Sequence, residues 1–211
     1  MRYNKKNQPI RKKNGGSSMR IISGSARGTK IDAPEGYDTR PVTDKIRQSL
    51  FNIWQWDIAG SHFLDVFSGS GSMGLEALSR GADRVVMIEK APKALKTIQN
   101  NLKKCHFEQK NVELMGANAF SALPELSRRG ERFDIIYLDP PYTVDEIFHP
   151  VMETLGSLPL LKEDGIVVIR TKKEKEMADT YGSLEKYRDK VYGISRAHFY
   201  RQKKEETEES A

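Results

Sequence analysis

The chain has 211 residues, 37% of them hydrophobic, with a mean hydropathy of −0.63 and a formal net charge of +6; it has room for one full domain with extensions, and no apolar run approaches the roughly 18 residues of a membrane span or the core of a secretion signal. Seven basic side chains and no acid fall in residues 1–20, so the remainder is close to −1 and the net charge does not by itself argue for a nucleic-acid partner. The single cysteine, Cys105, excludes an internal disulfide and a cysteine-rich metal site, and fits a reducing, cytoplasmic compartment.

Residues 1–18 are rich in Asn, Lys, Gln, Gly and Ser, with too little apolar surface to fold, and are expected to form a mobile basic arm or a leader unrelated to the domain. Structure is expected from Met19. Arg20–Ser23 and Thr29–Ala33 flank the turn GSARG and can pair as a small hairpin with a basic tip at Arg27 and Lys30. Thr43 has the chemistry of an N-cap for a helix running to about Trp56, with Ile46, Leu50, Ile53 and Trp54 at helical spacing. Together these form an extension over 19–60.

Strands and helices then alternate: His62–Phe67 strand, Ser72–Arg80 helix, Arg84–Glu89 strand, Pro92–Lys104 helix, Val112–Gly116 strand and Ala119–Arg129 helix. They continue with Phe133–Leu138 strand, Val144 to about Leu155 helix and Gly165–Thr171 strand. That order means βαβ units and a mostly parallel sheet covered on both faces. Leu184–Val191 and Ile194–Arg201, separated by Tyr192-Gly193, read as an antiparallel hairpin closing the sheet. The α/β domain is expected over 61–202, with a charged tail at 203–211.

Two stretches carry chemistry. The first, Asp65-Val-Phe-Ser-Gly69-Ser-Gly71-Ser-Met-Gly74, sets a GxGxxG pattern between a strand and a helix, where the backbone must turn tightly and approach a ligand. Glu89 ends the next strand about 20 residues beyond the first glycine, where an acid reaches ribose hydroxyls. Together they point to a nucleoside-containing cofactor. Asp65 at the head of the motif suits an ammonium better than the pyrophosphate of a dinucleotide, which favours S-adenosylmethionine. Asn118, after the third strand, can bond an adenine edge or cap the following helix. The second stretch, FDIIYLDPPY, is a buried strand that stops at Asp139-Pro140-Pro141-Tyr142 because neither proline has an N–H for the ladder. It holds an acid, a carbonyl and an aromatic ring at a strand's carboxyl end. A strand with a Pro-Pro turn and no ligand is the plain alternative. The histidines His62, His106, His149 and His198 are scattered singly, and no metal site is expected.

DVFSGSGSMGLEALSRGA, Glu89 and DPPY resemble class I S-adenosylmethionine-dependent methyltransferases acting on an exocyclic amine. MRIISGSARGTKI and TRPVTDKIRQSLFNI narrow the resemblance to the RsmD-type family, over about Met19 to Gln202. The resemblance implies a doubly wound, Rossmann-like sheet of seven strands. It also implies methylation of a guanine N2 in bacterial small-subunit (16S) ribosomal RNA, free or within an assembling particle, by a monomer. The implied cofactor wall is Asp65, Phe67, Ser68, Gly69, Ser70, Gly71, Gly74, Glu89, Lys90, Asn118 and Ala119. The implied catalytic set is Asp139, Pro140, Pro141 and Tyr142: the Asp139 carboxylate and Pro140 carbonyl would bind the amine's N–H groups while Tyr142 stacks on the base. Arg27, Lys30, Arg40 and Lys45 are candidate RNA backbone contacts, and Thr39-Arg40-Pro41 with Thr43 resembles a segment folding over the cofactor. The competing readings are an adenine-N6 methyltransferase on DNA or another RNA, a dinucleotide-dependent oxidoreductase, and a non-catalytic RNA chaperone.

Overall fold

The computed structural model describes residues 19–34, 42–108 and 110–204. The basic arm, the Thr39-Arg40-Pro41 stretch and most of the charged tail lie outside the described residues.

A hairpin of two short strands comes first, β1 (Met19–Arg20) paired antiparallel with β2 (Lys30–Ile31). Helix α1 (Asp44–Ile53) follows; the Thr43 side chain accepts a hydrogen bond from the Ile46 N–H at 3.4 Å, so the expected cap is present. The helix ends three residues short of Trp56, because Trp54 turns into the core and is fully buried. The alternating units are β3 (His62–Val66), α2 (Ser72–Ser79), β4 (Arg84–Ile88), α3 (Pro92–Lys104), β5 (Val112–Met115), α4 (Ala119–Arg128) and β6 (Phe133–Leu138). A 3-10 turn at Asp145–Ile147 then leads into α5 (Phe148–Gly156). The expected single helix from Val144 is split there because Pro150 has no N–H to offer the Glu146 carbonyl, so the first turn tightens. Strand β7 (Leu161–Lys172) starts before the expected Gly165, since Leu161 already pairs with Phe133 and the register shifts before Ile166.

Strands β8 (Thr180–Tyr181), β9 (Leu184–Tyr192) and β10 (Ser195–Gln202) complete a sheet of order β5-β4-β3-β6-β7-β10-β9-β8. The five strands from β5 to β7 are parallel and the last three antiparallel. The seven expected strands are all present, and the two-residue β8 adds an eighth at the edge. Period-two alternation divides the core between the faces. From β6, Ile135 and Tyr137 pack with α1, α2 and α3, while Ile136 and Leu138 pack with α4 and α5; Phe133, before the register shift, joins the second group.

Chain order reverses between β3 and β6: β4 and β5 extend one way from β3, β6 and β7 the other. In open α/β sheets the crevice at the carboxyl ends of such strands is where ligands sit.

The N-terminal elements are locked to this sheet by one acid. Glu76, fully buried in α2, accepts N–H bonds from Ile22 (2.8 Å) and Ser23 (3.0 Å) and a guanidinium bond from Arg80 (2.8 Å). It also pairs with fully buried Arg47 of α1 at 3.5 Å. Arg47 in turn donates to the Arg20 carbonyl and to Asp44. Burial pulls the Arg47 guanidinium below its ordinary pKa, with Glu76 the strongest opposing influence. Asn101 of α3 adds a second tie, bonding both backbone groups of Asp32 and the Ser70 carbonyl.

Candidate active site

A cavity of about 850 Å³ opens where β3 and β6 part. Its walls come from the loop after β3, the ends of β4 and β5, the turn after β6, Arg170 of β7, the β9–β10 turn and the start of α1. Most of the residues singled out in the sequence meet here. Asp65, Phe67, Ser68, Gly69, Ser70, Glu89, Lys90, Asn118 and Ala119 line one half, and Asp139, Pro140, Pro141 and Tyr142 the other. Lys45 also lines it.

Gly71 and Gly74 do not, and their roles are architectural. Gly71 is the left-handed N-cap of α2 (φ 75°). A Cβ at Gly74 would come within 2.8 Å of Met87, so this glycine lets α2 lie close on β4. Arg27 and Lys30 are exposed on the hairpin and border no part of the cavity, while Arg40 lies outside the described residues.

Asp65, Glu89 and Asn118 in the first half each have a defined partner. Asp65 is almost completely buried and accepts the Gly74 N–H at 3.1 Å. Burial pushes its carboxyl up to about 7; the neighbouring Asp139 and Glu89 charges add to this, and the Gly74 bond opposes it. Glu89 accepts N–H bonds from Gly69 at 2.9 Å and Ala91 at 2.8 Å. The acid thus shapes the glycine loop that it faces. Phe67, with φ 65°, is a left-handed non-glycine residue at the end of β3, a conformation that stores strain and turns the chain toward the cavity. The Asn118 side chain caps α4 through the Phe120 N–H (3.0 Å) while bordering the cavity, so the capping alternative is realised.

The other half holds a residue that the sequence reading did not single out. Arg170 donates to both carboxylate oxygens of Asp139, from Nε at 3.0 Å and Nη2 at 2.7 Å. Its guanidinium also lies over the Tyr142 ring, 5.1 Å from the centroid. The Asp139 carboxylate is therefore already oriented by a planar fork that occupies one side of each oxygen. The Tyr142 hydroxyl donates to the Thr171 carbonyl at 3.1 Å, and its ring packs against Phe148. Burial raises the Tyr142 hydroxyl well above its ordinary pKa, so it stays a donor. The signal in the sequence was an arginine inside the apolar run Ile166–Thr171, but only strand register shows that it meets Asp139.

The turn Tyr192–Ser195 is the second unanticipated wall, with Ile194 69% exposed at the cavity. Among the described residues no His, Cys, Asp or Glu cluster is arranged to hold a metal ion.

The buried Asp65 and Glu89 thus share one cavity with the Asp139 carboxylate and the Tyr142 ring. The family model described as Conserved hypothetical protein 95 matches residues 19–201. The chain belongs to the RsmD-type methyltransferase family. Among curated relatives, YlbH of Bacillus subtilis (strain 168) is 35% identical over 88% of this chain and 100% of its own length. Ribosomal RNA small subunit methyltransferase D of Escherichia coli (strain K12) is 30% identical, over 85% of this chain and 87% of its own. The solved structure of yhhF from Escherichia coli superposes with a TM-score of 0.75 at 26% identity, covering 89% of this chain and 99% of that one. Its class I methyltransferase fold is therefore the fold of this family member.

Proposed function

We propose that the protein is an S-adenosylmethionine-dependent methyltransferase that modifies the exocyclic N2 amine of a guanine in small-subunit ribosomal RNA. One observation carries the reading. The same cavity holds the Asp65/Glu89 pair, suited to an aminoacyl nucleoside, and the Asp-Pro-Pro-Tyr turn, suited to an amine on a flat base. The relative named ribosomal RNA small subunit methyltransferase D supports the RNA class.

S-adenosylmethionine supplies an electrophilic methyl on a sulfonium. In this reading Asp65 binds its ammonium, Glu89 its ribose hydroxyls, and Asn118 and Ala119 border its adenine. Lys90 lies at the rim beside Glu89. An exocyclic amine is a poor nucleophile because its lone pair is delocalised into the base. Asp139 and the Pro140 carbonyl accept its two N–H groups, which favours a pyramidal nitrogen with the lone pair free to attack. Orientation of this kind can supply several kcal/mol of the barrier. Arg170 fixes Asp139 as an acceptor, and Pro140-Pro141 keeps both acceptors rigid. Tyr142 stacks on the base, a contact worth about 1–3 kcal/mol. A base inside a helix cannot reach this turn, so the target is flipped out or unpaired. Lys45 at the cavity, and Arg27 and Lys30 on the hairpin, serve the RNA backbone.

The test is incubation of the purified protein with S-adenosylmethionine and small-subunit ribosomal RNA or particles, followed by nucleoside mass spectrometry. N2-methylguanosine is the expected product. N6-methyladenosine would assign the adenine chemistry that Asp-Pro-Pro-Tyr turns also serve, and tighter calorimetric binding of NAD than of S-adenosylhomocysteine would assign a dinucleotide enzyme instead.

A further inference from the structure

Among the described residues, Tyr137 is the one that both borders the cavity and buries a side-chain polar atom without a hydrogen bond. It is fully buried on β6, with its ring set edge-on to Trp54 at 6.4 Å. Packing against Trp54 needs only the ring. A phenylalanine would serve it without the penalty of desolvating a hydroxyl that has no partner. The charged and polar groups acting on this hydroxyl are Asp139, Arg170, Tyr142 and Asp65, all of which line the cavity. Tyr137 borders the same cavity as these groups, and burial keeps its hydroxyl as a neutral O–H.

Strand register sets its neighbour. Asp65 on β3 is paired directly with Tyr137 on β6. Adjacent strands lie about 4.8 Å apart, so the two side chains leave the same face of the sheet as neighbours, both reaching the one cavity, and the hydroxyl is not spent on the carboxylate. An α-amino acid has the complementary groups, an ammonium and a carboxylate on one carbon. The other acids in the cavity, Glu89 and Asp139, repel a carboxylate, and Arg170 is already committed to Asp139. A neutral donor is what such a carboxylate requires there. We propose that the Tyr137 hydroxyl binds the carboxylate at the amino-acid end of the methyl donor, next to the ammonium on Asp65. The assignment rests on the S-adenosylmethionine reading given above.

The experiment is calorimetric titration of the wild type and Tyr137→Phe with S-adenosylhomocysteine and with 5′-methylthioadenosine, which keeps the nucleoside thioether but lacks the amino-acid end. The expected result is at least a tenfold weaker S-adenosylhomocysteine affinity in the variant, with methylthioadenosine affinity unchanged. The unliganded variant should melt at the same or a higher temperature, since only an unpartnered hydroxyl is removed. Unchanged S-adenosylhomocysteine affinity, an equal loss for both ligands, or a lower melting temperature without ligand would each overturn the proposal. A wild type that binds neither ligand would instead reject the cofactor reading itself, and this contact with it.

Discussion

Two of the arginine–carboxylate pairs, Arg47–Glu76 and Arg170–Asp139, are alike in being largely buried and differ in what surrounds them. Arg47–Glu76 has both side chains at 0% exposure, and its carboxylate is caged by the Ile22 and Ser23 N–H groups and by Arg80. Arg170–Asp139 is left at 9% and 16% exposure, and among the described residues that arginine is the donor to the carboxylate. The first pair has every acceptor site spent on holding the N-terminal elements to α2. The second keeps lone pairs facing a cavity. A buried ion pair is thus a joint where the backbone completes it and a tool where the backbone leaves it incomplete.

Breaking the joint should have the largest effect. Glu76→Ala leaves buried Arg47 to Asp44 and the Arg20 carbonyl and frees two N–H groups, and should destabilise the fold by about 3–5 kcal/mol, read as a shift in the denaturant midpoint. A variant that unfolds like the wild type would show that the joint is not structural. Breaking the tool should cost the fold less, since the orphaned Arg170 lines an open cavity, and should strike the chemistry. Asp139→Ala should lower single-turnover methylation by at least about 100-fold, near 2.7 kcal/mol, while S-adenosylhomocysteine affinity stays within twofold. Near-normal turnover would reduce the Asp-Pro-Pro-Tyr stretch to a turn.

The contrast is sharpened by pH. Asp65 titrates at about 7 in the unliganded protein, against 3.8 ordinarily. The fold therefore holds more protons than the unfolded chain between these values, and this group's contribution to stability is lost as pH rises through that window. A bound ammonium needs the ionised form, so cofactor affinity should run the other way. It should fall toward tenfold for each unit below pH 7, measured by titration with S-adenosylhomocysteine, and Asp65→Asn should flatten the profile. The smallest expected effect is Tyr142→Phe. It keeps the ring under Arg170 but drops the bond to the Thr171 carbonyl, at about 1 kcal/mol, read as a modest fall in turnover at saturating RNA. A loss as large as that of Asp139→Ala would assign the hydroxyl a direct part in the reaction.

Local signals were legible in the sequence. β6 has the boundaries expected of it because Pro140-Pro141 leaves no donor to continue the ladder, and the Thr43 cap is where its side chain requires it. The glycine loop, Glu89 and Asp139 converge as their placement at strand ends demands. What could not be read depends on which strands become neighbours. Arg170 meets Asp139 because β7 lies beside β6 in register, and Tyr137 faces Asp65 because β6 lies beside β3. Arg47 and Glu76 are apolar-face positions by spacing, and nothing local marks them as partners across the N-terminal joint. The Tyr192–Ser195 turn read as a plain hairpin closure, and its place in the cavity wall follows from where β10 inserts.

That insertion also orders events during synthesis. β10 follows β9 in the chain but lies between β7 and β9 in the sheet. As the chain emerges from the ribosome, β3 through β7 can assemble first, leaving one edge of β7 open. β9 can take its place only once β10 has emerged to bridge the gap. The glycine loop and the Asp-Pro-Pro-Tyr turn are thus in place before the wall that completes their cavity, and a nascent chain holds an unfinished pocket until its final strand slots home.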